Sequence, residues 1–163
     1  MLRMFYNLQD LVFSNLMQVY SETNRKNGKE YYPDVDENLA ALNAEQDFYA
    51  YLRHCFFKTP GAVYAVWEEN QQFISALRLE PYEDGVLLEA LETMPEQRGK
   101  GYAKQLVSEV LAETNCKVYS HVNKNNMVSL AVHLACGFEK ISDTAVYIDG
   151  TDAPGCVTLC YGK

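Results

Sequence analysis

A short glycine-bearing loop between a strand and a helix is the part of this sequence best suited to chemistry. The segment LLEALETMPEQRGKGYAKQLVSEVL reads as a strand ending near Thr93–Pro95, a loop with Gly99 and Gly101, and a helix that begins from the loop. The first N–H groups of a helix have no intrahelical partner, and the helix dipole places partial positive charge there. Glycines let a phosphate approach the backbone, and Arg98 and Lys100 add charge. The loop therefore predicts a binding site for a phosphate-bearing ligand.

The loop does not match the common phosphate-binding fingerprints. The P-loop pattern Gly-x-x-x-x-Gly-Lys-Ser/Thr is absent, and the dinucleotide pattern fails because no third glycine follows Gly99-x-Gly101. Many strand-to-helix turns carry two glycines. On the loop alone, a turn that only needs flexibility remains an alternative.

Two motifs in this region together resemble one family. The run Arg98-Gly99-Lys100-Gly101-Tyr102-Ala103 fits the pattern Gln/Arg-x-x-Gly-x-Gly/Ala, and Thr93-Met94-Pro95 occupies the Val-x-Pro-like step before it. Asn126 lies eleven residues before Gly137-Phe138, at the head and tail of the next predicted helix. These motifs, in this order, resemble the GCN5-related N-acetyltransferases, the GNAT superfamily. The motifs lie within residues 87–138, and the order of elements matches over nearly the whole chain.

The resemblance implies acetyl-CoA as the co-substrate. In the family, a bulge in the fourth strand splays it from the fifth, and pantetheine lies between them. The backbone of Leu91 and Thr93 would bond the pantetheine amides, and Asn126 would contact the cofactor from the far side of the gap. The N–H groups of the loop would hold the diphosphate; they belong to Arg98, Gly99, Lys100, Gly101, Tyr102 and Ala103.

Two glutamates on the predicted fourth strand, Glu89 and Glu92, are candidates for the acceptor side of the reaction. Because strand side chains alternate, Glu89 is expected to share a face with Leu87, Leu91 and Thr93, and Glu92 to face the opposite side. Family members that acetylate small amines carry an acidic residue matching Glu89. The resemblance thus implies that Glu89 fixes the amine or helps to remove its proton, with a solvated strand glutamate as the alternative. Histone-type members carry their glutamate where this chain has Leu87, which disfavours a histone-like mechanism.

The proton for the departing thiolate comes, in the family, from a tyrosine four residues before the Gly of Gly-Phe. This chain has His133 at that position, and a histidine titrates near neutrality. Tyr147 or water are alternatives. His121, at the end of the fifth strand, lies near the expected acceptor, although a lone histidine is more often structural. Tyr31 and Tyr32 fall in the segment that lines the acceptor pocket of relatives and are candidate substrate contacts.

The elements that must position these residues follow from periodicity. Apolar spacings of three and four predict an amphipathic helix over Leu8–Tyr20, and a second helix runs over Asp36–Phe57. Between them, the polar stretch SETNRKNGKEYYP is predicted to be a break, with Gly28 and Pro33 as breakers. Three β-rich runs, AVYAVWEE, QFISALRLEPY and GVLLEALETM, predict an antiparallel meander.

The remaining elements complete an order of β-α-α-β-β-β-α-β-α-β-β. They are a helix over Gly101–Thr114, a strand at KVYSHV, a helix over Asn126–Cys136, and a closing hairpin around Asp149–Gly155. The expected fold is α/β (α+β) and GNAT-like. It has a mixed central sheet of about seven strands, about four helices, and splayed fourth and fifth strands.

Composition narrows the class of protein. The 163 residues are 48% apolar and 22% charged, which fits one globular domain over 1–163. No apolar run approaches a membrane span and no signal peptide is evident, so a cytoplasmic protein without a membrane partner is expected. A net charge of −8 argues against a nucleic-acid partner and would mildly attract a cationic amine; a charge that only keeps the protein soluble is the alternative. Five scattered cysteines without a C-x-x-C pair predict reduced thiols and no metal site.

The predicted function is transfer of an acetyl group from acetyl-CoA directly to a primary amine, most simply on a small molecule. Two alternatives stay open. Protein or peptide N-acetylation would need an open acceptor groove, and a non-catalytic acyl-CoA-binding module would keep the cofactor gap without turnover. The resemblance also implies pairing of two copies through their last strands as a homodimer.

Overall fold

The computed structural model describes residues 1–162, which form nine strands and five α-helices. The strands are β1 (Leu2–Phe5), β2 (Val63–Glu69), β3 (Gln72–Tyr82), β4 (Gly85–Thr93), β5 (Lys117–Asn123), β6 (Glu139–Ser142), β7 (Ala145–Val146), β8 (Asp152–Ala153) and β9 (Cys156–Tyr161). The helices are α1 (Phe13–Val19), α2 (Ser21–Tyr31), α3 (Glu37–His54), α4 (Tyr102–Glu113) and α5 (Met127–Ala135). None of these helices is both long and apolar enough to cross a bilayer.

Seven strands form one mixed sheet in the order β1-β2-β3-β4-β5-β9-β6. The meander predicted from the three β-rich runs is confirmed, because β2 pairs with β3 and β3 with β4 in antiparallel register. The β4–β5 pair is parallel, and α4 is the helix that connects its two strands. The predicted fold class and the sheet of about seven strands are therefore confirmed.

Each face of the sheet has its own hydrophobic core. On one face, α4 contributes Leu106, Val107 and Val110, which pack against strand residues such as Leu77 and Leu88. The other face is covered by the N-terminal helices and contains Leu16, Leu52, Phe56, Tyr64 and Phe73. We call these the α4 face and the N-terminal face.

The polar segment predicted as a break is helical and forms α2. Gly28 lies inside this helix, and a Cβ built there would lie 2.6 Å from the backbone of Ala40 in α3. A helical glycine costs about 1 kcal/mol relative to alanine. Here the missing side chain permits close packing of α2 on α3, which offsets that cost. This is why the chain has five helices rather than about four.

The C-terminal strands differ in detail from the predicted closing hairpin. The first strand predicted for this hairpin, FEKISDTAVYI, is divided, so that β6 pairs with β9 while β7 pairs with β8 in a separate two-stranded ribbon. The ribbon turns through Tyr147–Thr151, where the Tyr147 N–H donates to the Thr151 carbonyl at 2.9 Å. This ribbon places Tyr147 beside β5.

Candidate active site

The central feature of the site is a fork between β4 and β5. The two strands pair only from Gly85 to Leu88 and from Lys117 to Ser120, and then separate. At the branch point, the Ser120 hydroxyl lies 3.2 Å from the Leu88 carbonyl. Beyond it lies a cleft of about 170 Å³, lined by Leu88, Glu89, Ala90, Leu91, Ser120, His121, Val122, Asn123, Asn126, Ser129 and His133. The predicted splay is thus present where the family resemblance places it.

A β-bulge at Ala90 opens the fork. The register between β3 and β4 shifts, because Arg78 pairs with Glu89 but Ala76 pairs with Glu92, which leaves one extra residue on β4. Ala90 adopts a φ of 51°, a left-handed value that non-glycine residues rarely take. The Tyr20 hydroxyl donates to the Ala90 carbonyl at 2.7 Å. The bulge, stabilised by Tyr20 just after α1, therefore turns β4 away from β5.

The bulge reverses one prediction about the two glutamates. Glu89 pairs with Arg78, whose guanidinium lies over the Tyr51 ring on the N-terminal face. Glu92 accepts a hydrogen bond from the Thr23 hydroxyl of α2, so it lies on the same face. The expectation that Glu92 faces the opposite side from Glu89 is wrong, because the extra residue shifts the alternation by one.

Leu91 and Thr93 change faces for the same reason. Leu91 packs into the core of the α4 face. The Thr93 hydroxyl donates to the hydroxyl of Ser75, a residue whose strand partner Trp67 belongs to that same core. The prediction that they share a face with Glu89 is therefore wrong. Leu87, which lies before the bulge and opposite Glu80, keeps the expected face.

Glu89 lies in a half-buried charged cluster. Its carboxylate is 3.7 Å from the Arg78 guanidinium, and its side chain is 24% exposed. Burial raises the pKa of Glu89; the Arg78 charge opposes this rise and the neighbouring Glu80 carboxyl adds to it. The Tyr51 hydroxyl donates to Glu80 at 3.4 Å. The cluster combines two carboxylates with one guanidinium, so it retains a negative site beside the cleft.

The glycine loop presents unpartnered amides. After a 3₁₀ turn at Pro95–Gln97, Gly99 and Gly101 adopt φ values of 76° and 88°. A Cβ at either glycine would meet nothing within 4 Å, so the loop mouth is open. Within residues 1–162, no backbone acceptor bonds the N–H groups of Gly99, Lys100, Gly101, Tyr102 or Ala103. Five successive free donors at the start of a helix form an anion cradle.

The N–H of Arg98 is not part of this cradle, although it was among the predicted diphosphate donors. It donates instead to the Pro95 carbonyl at 3.3 Å. The Arg98 side chain donates through Nε to the Thr93 carbonyl at 3.1 Å and forms an ion pair with Glu22 of α2. Lys100 donates to Gln97 at 2.8 Å, which keeps its charge beside the loop.

The start of α4 is anchored to the sheet by one carboxylate. The Tyr102 hydroxyl donates to Glu69 at 2.9 Å, and the Trp67 indole N–H donates to the other oxygen of Glu69 at 3.1 Å. These two bonds lower the pKa of Glu69. They fix the first residue of α4 against β2, so the cradle is held in place without a ligand.

Helix α5 forms the second wall of the site. The Asn126 side chain caps it by accepting from the Ser129 N–H at 3.0 Å, and Asn126 also lines the cleft. Beside α4 lies an open groove of about 450 Å³ with almost wholly apolar walls; it is lined by Lys104, Met127, Val128, Ala131, Val132 and Ala135. An apolar groove next to an anion cradle suits a long ligand with a charged end.

His133 is buried and neutral in this structure. Its Nδ1 lies 2.8 Å from the Ser129 carbonyl, which can only accept, so Nδ1 carries the proton. Burial lowers the pKa of His133 and outweighs the opposing effect of the Ser129 carbonyl. Its Nε2 therefore accepts from the Ser120 hydroxyl, 3.0 Å away. A proton donor would need the cationic ring, which burial disfavours, and the acid role of His133 stays a prediction.

Comparison with known families settles the class of protein. Residues 16–138 match the acetyltransferase (GNAT) family, and the match spans the loop, the fork and α5. The chain belongs to the GNAT acetyltransferase family. A comparison with curated protein sequences finds no significant match to this GNAT protein.

Solved structures share the fold over nearly the full chain. PaiA N-acetyltransferase from Thermoplasma acidophilum, solved with coenzyme A, has a TM-score of 0.66 and 14% sequence identity. The alignment covers 100% of this chain and 99% of the PaiA chain. Ribosomal-protein-alanine N-acetyltransferase from Brucella melitensis has a TM-score of 0.62 at 17% identity, with 99% and 98% of the two chains covered. A variant of spermidine N-acetyltransferase SpeG from Vibrio cholerae has a TM-score of 0.61 and 18% sequence identity, and the alignment covers 98% of this chain and 93% of the SpeG chain.

The cleft of this GNAT protein brings together five of the residues singled out from sequence, namely Glu89, Leu91, His121, Asn126 and His133. Thr93 lies at the end of β4, next to the loop. Tyr31 and Tyr32 end α2 rather than lying in a break; Tyr31 is 62% exposed and the Tyr32 hydroxyl donates to Asp47. Neither tyrosine lines the cleft, and their role as substrate contacts stays a prediction.

Sequence reasoning missed three residues at or beside the cleft. Arg78 and Glu80 pair with β4 residues from the neighbouring strand, and Ser120 closes the fork. A signal for Arg78 was present, because it is the lone basic residue in the apolar run QFISALRLEPY. A charge in a buried strand needs a partner, and the nearby carboxylates supply one. No local signal marks Ser120, since its importance depends on where β4 and β5 separate.

Proposed function

We propose that this protein transfers the acetyl group of acetyl-CoA directly to a primary amine on a small molecule, without a covalent enzyme intermediate. One observation carries the proposal: the fork places the Glu89 carboxylate in the same cleft as Asn126 and close to an open amide cradle. A thioester donor held by the cradle would meet an amine held by the carboxylate at the fork. Membership of the acetyltransferase family supports this chemistry.

The donor side is assigned to groups on the α4 face. The free amides from Gly99 to Ala103 would hold the diphosphate, with the Lys100 charge beside them. The unpaired backbone of β4 at Leu91 and Thr93 would bond the pantetheine amides as a strand would. Asn126 offers its free side-chain N–H groups from α5. Acetyl-CoA supplies the activated acyl group, and these residues hold and orient it.

The acceptor side is assigned to the N-terminal face. Here the half-buried Glu89 and the buried Glu80 outnumber Arg78 in charge, so a cation is favoured. The helices α1 to α3 cover this face, which favours a small molecule over a folded protein. Glu89 would fix the amine or help to remove its proton, and the rise in its pKa makes the carboxylate a better base. His133 is the proposed source of the proton for the departing thiolate; it would have to be protonated on both ring nitrogens, so that Nε2–H donates to Ser120 and the Ser120 hydroxyl donates to the thiolate.

The structural relatives span both kinds of acceptor. One is named for spermidine, a small amine, and another for the alanine of a ribosomal protein. The covered acidic face of this chain is the feature that favours the small amine. The protein acetyltransferase and the acyl-CoA-binding module are therefore outcomes for the experiment to distinguish.

The test separates binding from turnover. Calorimetry with acetyl-CoA measures donor affinity, and thiol release measures transfer across polyamines, amino acids, aminoglycosides and peptides. We expect the Glu89→Gln variant to bind acetyl-CoA as the wild type does and to turn over roughly 100-fold more slowly, the usual scale for loss of an acid–base group. Glu109→Gln, on the exposed side of α4, is the matched control and should leave both unchanged.

Three outcomes would contradict the proposal. Preferential acetylation of peptides would make the protein a peptide N-acetyltransferase. Tight acetyl-CoA binding with no turnover on any amine would make it a binding module. Equal turnover by Glu89→Gln and Glu109→Gln would remove Glu89 from the reaction.

A further inference from the structure

His121 is a half-buried histidine without a hydrogen-bond partner within residues 1–162. It follows Ser120 on β5 and is the first residue beyond the β4–β5 pairing. Because strand side chains alternate and Ser120 faces His133 on the α4 side, His121 faces the N-terminal side. Both of its ring nitrogens are buried and lack a hydrogen-bond partner within residues 1–162. Buried polar atoms are nearly always bonded, so a missing partner calls for an explanation.

The two rings that flank His121 cannot supply that partner. Tyr82 and Tyr147 contact the imidazole at near-perpendicular angles, with ring centroids 5.3 Å and 5.7 Å away. The Tyr82 hydroxyl donates to the Val146 carbonyl at 2.8 Å, and the Tyr147 hydroxyl lies against the Cys156 sulfur at 3.8 Å. Both hydroxyls are thus engaged elsewhere. His121 itself lines the cleft, together with Glu89.

The groups around His121 leave it neutral and able to accept a proton. The phenols of Tyr82 and Tyr147 have raised pKa values, because of burial for Tyr82 and because of the Cys156 contact for Tyr147, so both are uncharged. The other titratable groups that line the cleft are Glu89 from β4 and His133 from α5, and Cys156 of β9 lies behind Tyr147. Burial lowers the pKa of His121, which keeps a lone pair available at neutral pH. Glu89, by contrast, is already paired with Arg78.

We propose that His121 is the base that takes the proton of the acceptor amine, while Glu89 holds that amine in the cleft. This inference rests on the proposed N-acetyltransferase function. An amine bound as its ammonium ion first loses one proton to solvent, because only the neutral nitrogen has a lone pair. As that nitrogen forms its bond to the acetyl carbon, the carbon–sulfur bond breaks and its electron pair leaves with the thiolate. The nitrogen–proton bond breaks at the same stage, and that proton passes to a free ring nitrogen of His121. The imidazolium then loses it to solvent as the amide product leaves.

The test compares His121→Gln with the wild type on the amine that the wild type acetylates best. We expect kcat to fall roughly 100-fold, within the range for general-base catalysis, with acetyl-CoA affinity unchanged by calorimetry. In the wild type, kcat/KM should rise with pH through a group titrating below the ordinary histidine value, and this limb should be absent in the variant. Added imidazole should restore part of the activity of His121→Ala. His54→Gln, an exposed histidine at the end of α3, is the matched control and should leave rate and pH profile unchanged.

Each outcome has one meaning. A His121→Gln variant with wild-type rate and pH profile overturns the inference and leaves the proposed function intact. A slow variant that retains the pH limb, with an imidazole-insensitive His121→Ala, reduces His121 to a structural residue and also overturns it. A wild type that binds acetyl-CoA but acetylates no amine overturns the proposed function, and the inference with it.

Discussion

At the scale of single residues, Ala90 decides what the glutamates of β4 can do. Ala90 has a left-handed φ of 51° at the bulge, where β4 has one residue more than β3. The Tyr20 hydroxyl stabilises this conformation by donating to the Ala90 carbonyl. Strained backbone of this kind persists only where the surroundings enforce it. As a consequence, Glu89 and Glu92 share the N-terminal face. A prediction from strand alternation fails here because the bulge depends on how β4 pairs with β3, and the spacing of residues within β4 does not reveal that pairing.

The buried carboxyl of Glu92 gives a pH-dependent prediction at this scale. Burial raises its pKa and outweighs the opposing bond from Thr23. The folded state therefore holds this proton more tightly than the unfolded chain, and stability is lost as pH rises from about 4.3 through the raised folded value. Glu92→Gln keeps an oxygen for Thr23 and removes the charge. We expect its stability relative to the wild type to improve by up to about 1 kcal/mol between pH 4 and pH 7.

Urea unfolding across that pH range measures the difference. Glu113→Gln, an exposed glutamate at the end of α4, is the control and should show no trend. A Glu92→Gln difference that stays flat with pH, or that grows less favourable as pH rises, would contradict the burial argument.

At the scale of elements, the start of α4 shows how backbone donors can be left free. The helices α3 and α5 have side-chain caps at Asp36 and Asn126, whereas α4 begins at Gly101 with no side-chain cap. Glu69 holds the first residue of α4 through Tyr102 instead, which leaves the backbone donors free. The sequence motif predicted this loop correctly, because the glycines and the helix start lie within a few residues. The same approach failed for α2, where Gly28 is helical because of its contact with α3.

A matched pair of glycines tests the cradle. Gly101 and Gly150 have φ values of 88° and 84°, and a Cβ at either would meet nothing within 4 Å. Gly101→Val and Gly150→Val should therefore suffer similar backbone strain, on the order of 1–2 kcal/mol each by thermal or urea unfolding. Only Gly101→Val places a branched side chain in front of the amides. We expect it alone to weaken acetyl-CoA binding, by about 10-fold or more in calorimetry. Equal donor affinity for the two variants would show that the amides do not hold the diphosphate.

At the scale of the whole molecule, the two faces of the sheet carry different groups. The amide cradle and apolar groove open on the α4 face, whereas the acidic cluster lies on the N-terminal face, and the fork connects them. The net charge of −8 extends the preference for cations beyond the cluster. Pairing of two copies through the last strands stays a prediction at this scale, to be measured by light scattering.

Salt dependence tests the role of the overall charge. Interactions between exposed charges are screened beyond about 10 Å at 0.1 M salt. For a triamine acceptor, kcat/KM should therefore fall several-fold between low and high salt, mainly through KM. A monoamine of similar length carries less charge and should show a shallower decline. Identical slopes for the two acceptors, or a rise with salt for the triamine, would contradict electrostatic attraction of the acceptor.

The sequence by itself determined the fold family, the β2–β4 meander, the glycine loop and the position of Asn126, because each depends on short-range periodicity or on a compact motif. The tertiary structure decided which face Glu89 and Glu92 occupy, which charge meets Glu89, how His133 is buried and why His121 lacks a partner. These properties arise where β3, β4 and β5 meet, between residues far apart along the chain. Packing and strand register determine these properties, and neither can be predicted from the local spacing of residues.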